Sequence, residues 1–350
     1  MKKNIILTIC AISLMSASCN FFGPTTTAGV LKTSNGGVDW QASNKIKDSS
    51  NYITDLAISR MAFDPQGADV IYLSSFSGGM YKSLDGGGSW EQILGTIPII
   101  DFAINPYDSK TIYAGGNFED KARALVTRDG GKSWNAVYTG GTAGGSVRAI
   151  SLNPNNPQQI LIGLSQGELI ASGDGGGSWK LLQSYTDRRN KIIWNNDGIY
   201  VVIKGTGISK SIDGGASFKL ITAGLQSAGN ISNLSIFGSA ISAFNQMAIS
   251  ATNSSVVYVT TNLGLYSSTD AGNTWKFISM PLRQSAAVPM AVAIAPSSEN
   301  VVSVSAGSIV YKTTDSGSSW STADTGTGSL INALLVDPTL PQVAYAGAYK

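Results

Sequence analysis

The sequence predicts an all-β fold, a seven-bladed β-propeller whose closing blade is shared between the N- and C-termini. An eight-residue pattern, S/T-x-D-x-G-x-S/T-W, recurs seven times along the 350 residues, with starts 39 to 57 residues apart. A four-stranded propeller blade needs roughly 40 to 50 residues, which matches this spacing. The 40 glycines and the 43% of apolar residues favour short strands, tight turns and a large core. The two ends of the chain carry complementary halves of one repeat.

The recurring pattern has five intact and two degenerate copies. The intact copies are residues 83–90, 127–134, 172–179, 268–275 and 313–320. In the degenerate copy at 33–40, Asn35 replaces the aspartate and Asp39 replaces the second hydroxyl residue. The degenerate copy at 211–218 ends in Phe218 where the others have tryptophan.

The residue types in the pattern predict a hairpin turn. An Asp or Asn side chain can accept backbone N–H groups a short distance along the chain, and the following glycine allows a positive φ. The aromatic residue is expected to bury a large apolar area between neighbouring blades. The predicted structural positions are Asn35, Asp85, Asp129, Asp174, Asp213, Asp270 and Asp315, with Trp40, Trp90, Trp134, Trp179, Phe218, Trp275 and Trp320. Carboxylates repeated once per blade cannot converge on one substrate, so we interpret them as structural.

The pattern resembles the Asp-box (BNR) repeat of sialidases, sortilin-type receptors, xyloglucanases and photosystem II assembly-factor-type propellers. The copies extend over nearly all of the chain beyond residue 28. The resemblance implies the propeller architecture. Because those families have diverse functions, it does not assign an activity.

The blades follow in chain order within a single domain spanning residues 28–350. Residues 29–42 form the second half of a repeat and residues 332–347 form the first half, so that joining them completes the seventh blade and removes the exposed edges. The other blades are expected at residues 50–95, 97–139, 145–184, 188–222, 231–279 and 287–323. The fifth of these carries an insertion at 223–246 that is rich in Ser, Gly and Asn.

Residues 1–19 have the layout of a signal peptide. Lys2 and Lys3 precede an apolar run at 5–15, and residues 16–18 are small. The segment resembles a bacterial lipoprotein processing site at which Cys19 becomes the lipidated first residue, followed by a tether at 20–27. We therefore expect a protein of the cell envelope, outside the cytoplasm and lipid-anchored to a bacterial membrane.

Composition argues against several chemistries. Without Lys2 and Lys3 the 24 basic residues fall to 22, equal to the 22 acidic ones, so no electrostatic signal for nucleic-acid binding remains. The chain has no histidine, which excludes a Ser-His-Asp triad, a Cys-His pair and His-ligated metals. No Arg-Ile-Pro segment lies near the first blade, where sialidases carry one, which argues against sialidase activity. No catalytic residue, metal or cofactor is assigned.

Strand alternation predicts which loops share a face. The repeated hairpins lie on the same face as the turns after the innermost strands, and the opposite face collects the remaining loops. Candidate binding residues on or near that opposite face are Arg60, Asp101, Glu119, Arg123, Arg148, Glu168, Tyr185, Arg188, Arg189 and Arg283. Alternation directs Arg60, Asp101 and Arg148 toward the central channel.

Two hypotheses about function follow. The favoured one is a non-catalytic, membrane-anchored scaffold that binds a protein partner, since mixed Arg, Tyr and acidic loops suit interfaces. The predicted anchor emerges at the rim of the same face, which favours a membrane-embedded partner. The alternative is a carbohydrate-active protein, either an atypical glycoside hydrolase or a cell-wall glycan binder, with Asp101 and Glu119, or Asp187 and Glu168, as an acid–base pair.

Overall fold

A computed structural model describes residues 29–95, 97–186, 189–222, 225, 241–282 and 287–349. These residues form seven four-stranded antiparallel sheets. The predicted signal peptide and tether, Cys19 and most of the 223–246 insertion lie outside the described residues. No helix in the described ranges is long and apolar enough to cross a membrane.

The strands run in chain order from the closing blade through six complete blades and back. The closing blade begins with β1 (Val30–Thr33) and β2 (Gln41–Ala42). The first and second blades are β3 (Ile58–Asp64), β4 (Gly67–Ser75), β5 (Gly79–Ser83), β6 (Glu91–Leu94), and β7 (Ile99–Asn105), β8 (Asp108–Phe118), β9 (Lys121–Thr127), β10 (Asn135–Ala143). The third and fourth blades are β11 (Val147–Asn153), β12 (Asn156–Leu164), β13 (Glu168–Ser172), β14 (Lys180–Ser184), and β15 (Arg189–Asn195), β16 (Gly198–Ile203), β17 (Gly207–Ser211), β18 (Lys219–Leu220). The fifth and sixth blades are β19 (Phe244–Ile249), β20 (Val257–Thr261), β21 (Gly264–Ser268), β22 (Lys276–Ile278), and β23 (Pro289–Ala295), β24 (Ser298–Ala306), β25 (Ile309–Thr313), β26 (Ser321–Asp324). The chain returns through β27 (Leu330–Val336) and β28 (Ala344–Tyr349).

The closing blade joins the two ends of the chain as predicted. Its strand order is β2-β1-β28-β27, so strands from the N-terminal part occupy the outer half and strands from the C-terminal part the inner half. Strand β1 pairs with β28 from Val30 opposite Gly347 to Thr33 opposite Ala344. The inner strands β3, β7, β11, β15, β19, β23 and β27 contact one another in that order, and β27 contacts β3. The ring is therefore closed.

The hydrophobic core lies between adjacent blades because the middle strands are apolar on both faces. In β12, Ile160 and Ile162 pack with residues of the second blade, whereas Leu161 packs toward the fourth blade. All three side chains are fully buried. Alternation along one strand thus supplies side chains to two separate core layers.

The repeated pattern forms a hairpin that its own side chains hold together. Ser172 Oγ donates to Asp174 Oδ1 at 2.7 Å and accepts the Gly176 N–H at 2.8 Å. Asp174 also accepts the Ser178 N–H at 2.9 Å and the Ser178 hydroxyl at 2.7 Å. Gly176 has a φ of +96°, and a Cβ on it would lie 2.7 Å from Val137 Cβ in the preceding blade. Glycine is required here both for the turn and for close packing between blades.

The degenerate copy at 33–40 keeps the same hairpin with the donor and acceptor exchanged. Asn35 Oδ1 accepts the Asp39 N–H at 3.0 Å, while Asn35 Nδ2 donates to Asp39 Oδ2 at 2.9 Å. In this copy the Asn35 amide donates to the Asp39 carboxylate, whereas in the other copies a carboxylate such as Asp174 accepts from a hydroxyl such as that of Ser178. The two substitutions compensate one another.

Candidate functional site at the channel mouth

The two faces of the ring differ in the loops they carry. The box face holds the Asp-box hairpins, such as 172–179, and the turns after the inner strands. The loop face holds the connections between second and third strands, such as 118–121, and the connections between blades. This division follows from the antiparallel strand order of each sheet and agrees with the sequence prediction.

A β-bulge near the start of every inner strand controls which side chains reach the central channel. In β3 the register shifts between Ile58 and Arg60, and the other six inner strands have a shift at the equivalent place. A bulge places two successive residues opposite one partner residue and redirects their side chains. Consequently both the second and the third residue line the channel in β3, β7 and β19, and the second residue, Arg148, lines it in β11.

Arg60 and Asp101 form an ion pair that connects the first two blades. Arg60 Nη1 contacts Asp101 Oδ1, and the arginine group lies over the Phe102 ring at 5.2 Å from its centroid. Asp101 Oδ2 accepts the Ile150 N–H of the third blade at 2.9 Å. The Asp101 side chain is 7% exposed. Both of its oxygens are therefore used to hold Arg60 and the third blade in place.

The loop-face end of the channel is strongly basic. A cavity of about 680 Å³ is lined there by Arg60, Arg148, Lys191 and Lys204, and Asp101 is the one acidic lining residue among the residues that the structure describes. Burial and, to a smaller extent, the nearby Arg60 lower the pKa of Lys191 to about 8, and Asp101 partly opposes them. An anion in this cavity would gain attraction from several cations that the protein has already partly desolvated.

Sequence reasoning missed Lys191 and Lys204 in this cavity. Lys191 is the third residue of β15, as Arg60 is of β3 and Asp101 of β7. Aligning the inner strands on their bulges would have identified Lys191. Lys204 lies in the loop after β16, where no strand periodicity indicates the direction of its side chain.

Other predicted binding residues lie on the loop face away from the channel. Glu119 and Arg123 form an ion pair across the β8–β9 connection. Glu168 begins β13, and its Oε2 atom is buried without a hydrogen-bond partner among the described residues. The Tyr185 ring packs edge-on against Phe218 at 6.4 Å between centroids. The structure thus disperses these four residues and gathers Arg60, Asp101 and Arg148.

Several predicted residues cannot be placed. Asp187, Arg188 and Arg283 lie outside the described residues, as does Cys19. The backbone of Arg189 belongs to β15, but its side chain is not among the described parts of the structure. Within the described ranges, no group of three or more Asp, Glu, Cys or His side chains is arranged to hold a metal ion.

The fold and the hairpin geometry define the chain as a seven-bladed Asp-box propeller. Residues 78–205 match the family model described as Sortilin, neurotensin receptor 3. No curated protein sequence matches the chain.

Solved structures share the fold at low sequence identity. The GH74 xyloglucanase from Xanthomonas campestris is 16% identical with a TM-score of 0.66, covering 92% of this chain and 52% of its own. The Niastella koreensis GH74 enzyme is 17% identical with a TM-score of 0.65, covering 90% of this chain and 53% of its own. The chain thus spans about half the length of these enzymes. YCF48 bound to D1 peptide is 16% identical with a TM-score of 0.62, covering 88% of this chain and 100% of its own.

Proposed function

We propose that the protein is a non-catalytic scaffold that binds a protein partner at the loop face, with an anionic part of that partner in the channel mouth. The observation that carries the proposal is the cluster of four basic residues and one acidic residue around one cavity. Over the whole chain beyond Lys3, acidic and basic residues are balanced at 22 each. A local excess of positive charge in a neutral protein favours an acidic ligand and orients it on approach.

The comparison with YCF48 supports a peptide as the ligand. That propeller is matched over its full length and was solved with a D1 peptide bound. At 16% identity the likeness concerns the fold, so the chemical argument for this chain rests on its own Arg60, Arg148 and Lys191.

The scaffold is proposed to act in the cell envelope, held by a lipid on Cys19. Strand β1 runs from the loop face toward the box face, so the described chain starts at the loop-face end of the closing blade. An anchor joined there by the short 20–27 tether would keep the loop face close to the membrane, which favours a membrane-embedded partner. Replacement of Cys19 by Ala with loss of fatty-acid labelling would support the anchor. Unchanged labelling would refute it.

A carbohydrate-active role is the second candidate, and the likeness to two GH74 enzymes favours it. A glycosidase needs a free acid and a free base on either side of the bond. In this chain Asp101 is bonded to Arg60 and to the Ile150 N–H, and Glu119 is paired with Arg123. These contacts favour a positioning role for both carboxylates of this pair, while Asp187 of the other predicted pair lies outside the described residues; we therefore favour the scaffold.

The scaffold is tested by in-cell crosslinking and pull-down of the tagged full-length protein. Lys191→Met removes one charge from the channel mouth, and Lys132→Gln removes one from an exposed hairpin on the box face. We expect one specific protein to be recovered with the wild type and the Lys132 variant, but strongly reduced with the Lys191 variant. Recovery of polysaccharide without protein would favour the carbohydrate role. Equal recovery of the protein partner with both variants would show that the channel mouth is not its binding site.

A further inference from the structure

Charged side chains line the channel toward its loop-face end, among apolar ones such as Ile100 and Met290, whereas the lining side chains toward the box face are apolar. The basic residues Arg60, Arg148 and Lys191 are the second or third residues of their strands, at the loop-face end. In the inner strands β3, β15, β19, β23 and β27, a fifth or sixth residue toward the box face is a half-buried apolar side chain that lines the same cavity: Phe63, Ile193, Ile249, Ile294 and Leu335.

Two aspartates at the box-face ends of inner strands are occupied by local turns. Asp64 Oδ1 accepts the Gln66 N–H at 2.8 Å, and Asp337 Oδ1 accepts the Thr339 N–H at 2.8 Å. Both aspartates are buried, and neither lines the cavity. All charged lining residues of the described cavity are therefore toward its loop-face end.

The separation of the two regions follows from strand geometry. Three residues separate the third from the sixth position, and a strand rises about 3.3 Å per residue, so the regions are roughly 10 Å apart along the strand. An extended peptide covers the same distance in about three residues. A ligand that satisfies both regions carries an anionic group and an apolar group at this spacing.

Amide groups at the mouth favour a peptide over a fatty acyl chain. Asn245 Nδ2 donates to the Pro289 carbonyl at 2.8 Å, and Asn332 Nδ2 donates to the Ile58 carbonyl at 3.4 Å. Both residues line the cavity, and each amide oxygen can accept an N–H from a peptide. An acyl chain would displace water from these oxygens and would offer them no hydrogen-bond donor in its place.

We propose that the channel recognises an extended segment of the partner in which an acidic side chain at the loop-face mouth is separated by about three residues from an apolar side chain placed deeper in the channel. The inference rests on the proposed protein-binding function and adds the sequence pattern that is bound. This inference requires the partner to contact both the basic mouth and the apolar deeper part of the channel. The scaffold proposal requires contact with the mouth alone.

The test uses fluorescent eight-residue peptides in a Gly-Ser background, with both ends blocked so that they carry no terminal charge. One set carries Glu and Leu three residues apart, in both sequence orders. The controls carry Glu alone, Leu alone, or Glu and Leu as neighbours. Anisotropy titrations of the full chain should give about tenfold tighter binding for one spaced Glu–Leu peptide than for the peptide with Glu alone. The free energy gained by burying a leucine side chain corresponds to about that change in affinity.

Two protein variants separate the inference from the scaffold proposal. Ala293→Asn introduces a polar group at the fifth position of β23, where the small side chain lines the cavity. It should weaken binding of the spaced peptide several-fold and leave binding of the Glu peptide unchanged, whereas Lys191→Met should weaken both. Thermal melting confirms that each variant is folded.

Equal affinity for the spaced peptides, the neighbour peptide and the Glu peptide would overturn the spacing inference while leaving the scaffold intact. Tighter binding of dodecanoate than of any peptide would also overturn it, in favour of a lipid ligand. A third outcome is that Lys191→Met abolishes recovery of the partner in the pull-down while no spaced peptide binds more tightly than the Glu peptide. That result would keep the scaffold proposal and reject the sequence pattern.

Discussion

The indole Nε1 of Trp179 donates a hydrogen bond of 2.8 Å to the backbone carbonyl of Val137, which lies in the outer strand of the preceding blade. The same bond joins Trp90, Trp134, Trp275 and Trp320 to Ser43, Ile93, Ile221 and Ser279, respectively. The tryptophan of the Asp-box therefore connects blades by a directed bond as well as by burial. Trp40 differs, because its Nε1 is buried and has no partner among the described residues.

Replacing Trp179 by Phe should destabilise the protein more than replacing Trp40 by Phe. The first change removes an interblade hydrogen bond worth about 1 kcal/mol, while the second removes a donor that is already unsatisfied. For a domain that spans residues 28–350, about 1 kcal/mol lowers Tm by roughly 1–2 °C. Thermal melting of the two single variants measures the difference. Equal losses would show that packing area alone determines the contribution of these residues.

Stability should fall steeply in acid because the Asp-box carboxylates must remain ionised. Hydrogen bonds from the Ser178 hydroxyl and the Ser172 hydroxyl lower the pKa of Asp174 to about 2, and Ser319 and Thr313 do the same for Asp315. The unfolded carboxyl titrates near 3.8, so the stabilisation is present above that pH and is lost as the pH falls toward 2.

Urea midpoints measured from pH 2 to pH 6 test this dependence. Asp174→Asn should reduce the slope below pH 4, because Asn35 shows that an amide can form the hairpin in the neutral state. The reduction should be partial, since the carboxylates of the other Asp-boxes still titrate in this variant. A slope equal to that of the wild type would contradict the assignment of the acid sensitivity to the Asp-box.

Removal of residues 340–350 should open the ring. Strand β28 pairs with β1 on one side and β27 on the other, and Tyr345 within it donates to the Gly86 carbonyl of the first blade at 2.8 Å. Its loss exposes the edges of both neighbouring strands, which favours unfolding or pairing between molecules. Light scattering and thermal melting distinguish these outcomes. A monomer with unchanged melting would contradict closure through the shared blade.

Binding of an anionic ligand at the channel mouth should weaken as the pH rises through about 8, the pKa of Lys191. Arg60 and Arg148 stay charged in this range, so part of the affinity remains. Stability should change in the opposite direction. The unfolded lysine titrates near 10.5 and the folded one near 8, so unfolding takes up a proton between these values and stability rises with pH there.

Anisotropy of a Glu-bearing peptide from pH 6.5 to pH 9.5 measures the effect on binding. Lys191→Met should give a weaker affinity that is nearly independent of pH. The same pH dependence in this variant would assign the titration to another group.

The sequence repeat was sufficient to predict the fold. Seven spaced copies of the pattern predicted seven blades, and the half repeats at 29–42 and 332–347 predicted the β2-β1-β28-β27 sheet. These features depend on local turn chemistry and on strand alternation, both of which can be read from neighbouring residues.

The site was predicted less completely because it depends on bulges and on distances between blades. Arg60, Asp101 and Arg148 were predicted to face the channel, but alternation alone does not bring a second residue such as Arg148 and a third residue such as Arg60 to the same side. The bulges bring both to the channel. Lys191 occupies the same third position as Arg60 and was missed because the inner strands were not aligned on their bulges. The exchange between Asn35 and Asp39 looked like degeneration of the repeat, but the side chains form the same hairpin.

Photo-crosslinking in cells tests most directly whether the loop-face channel mouth holds a protein partner. Phe76 lines the channel cavity near the mouth, and Tyr107 is an exposed aromatic residue in a turn on the box face. Each is replaced in turn by p-benzoylphenylalanine in the full-length protein. The scaffold proposal predicts one defined protein adduct from position 76 and none from position 107. An adduct from position 107 alone, or none at either position, would contradict it.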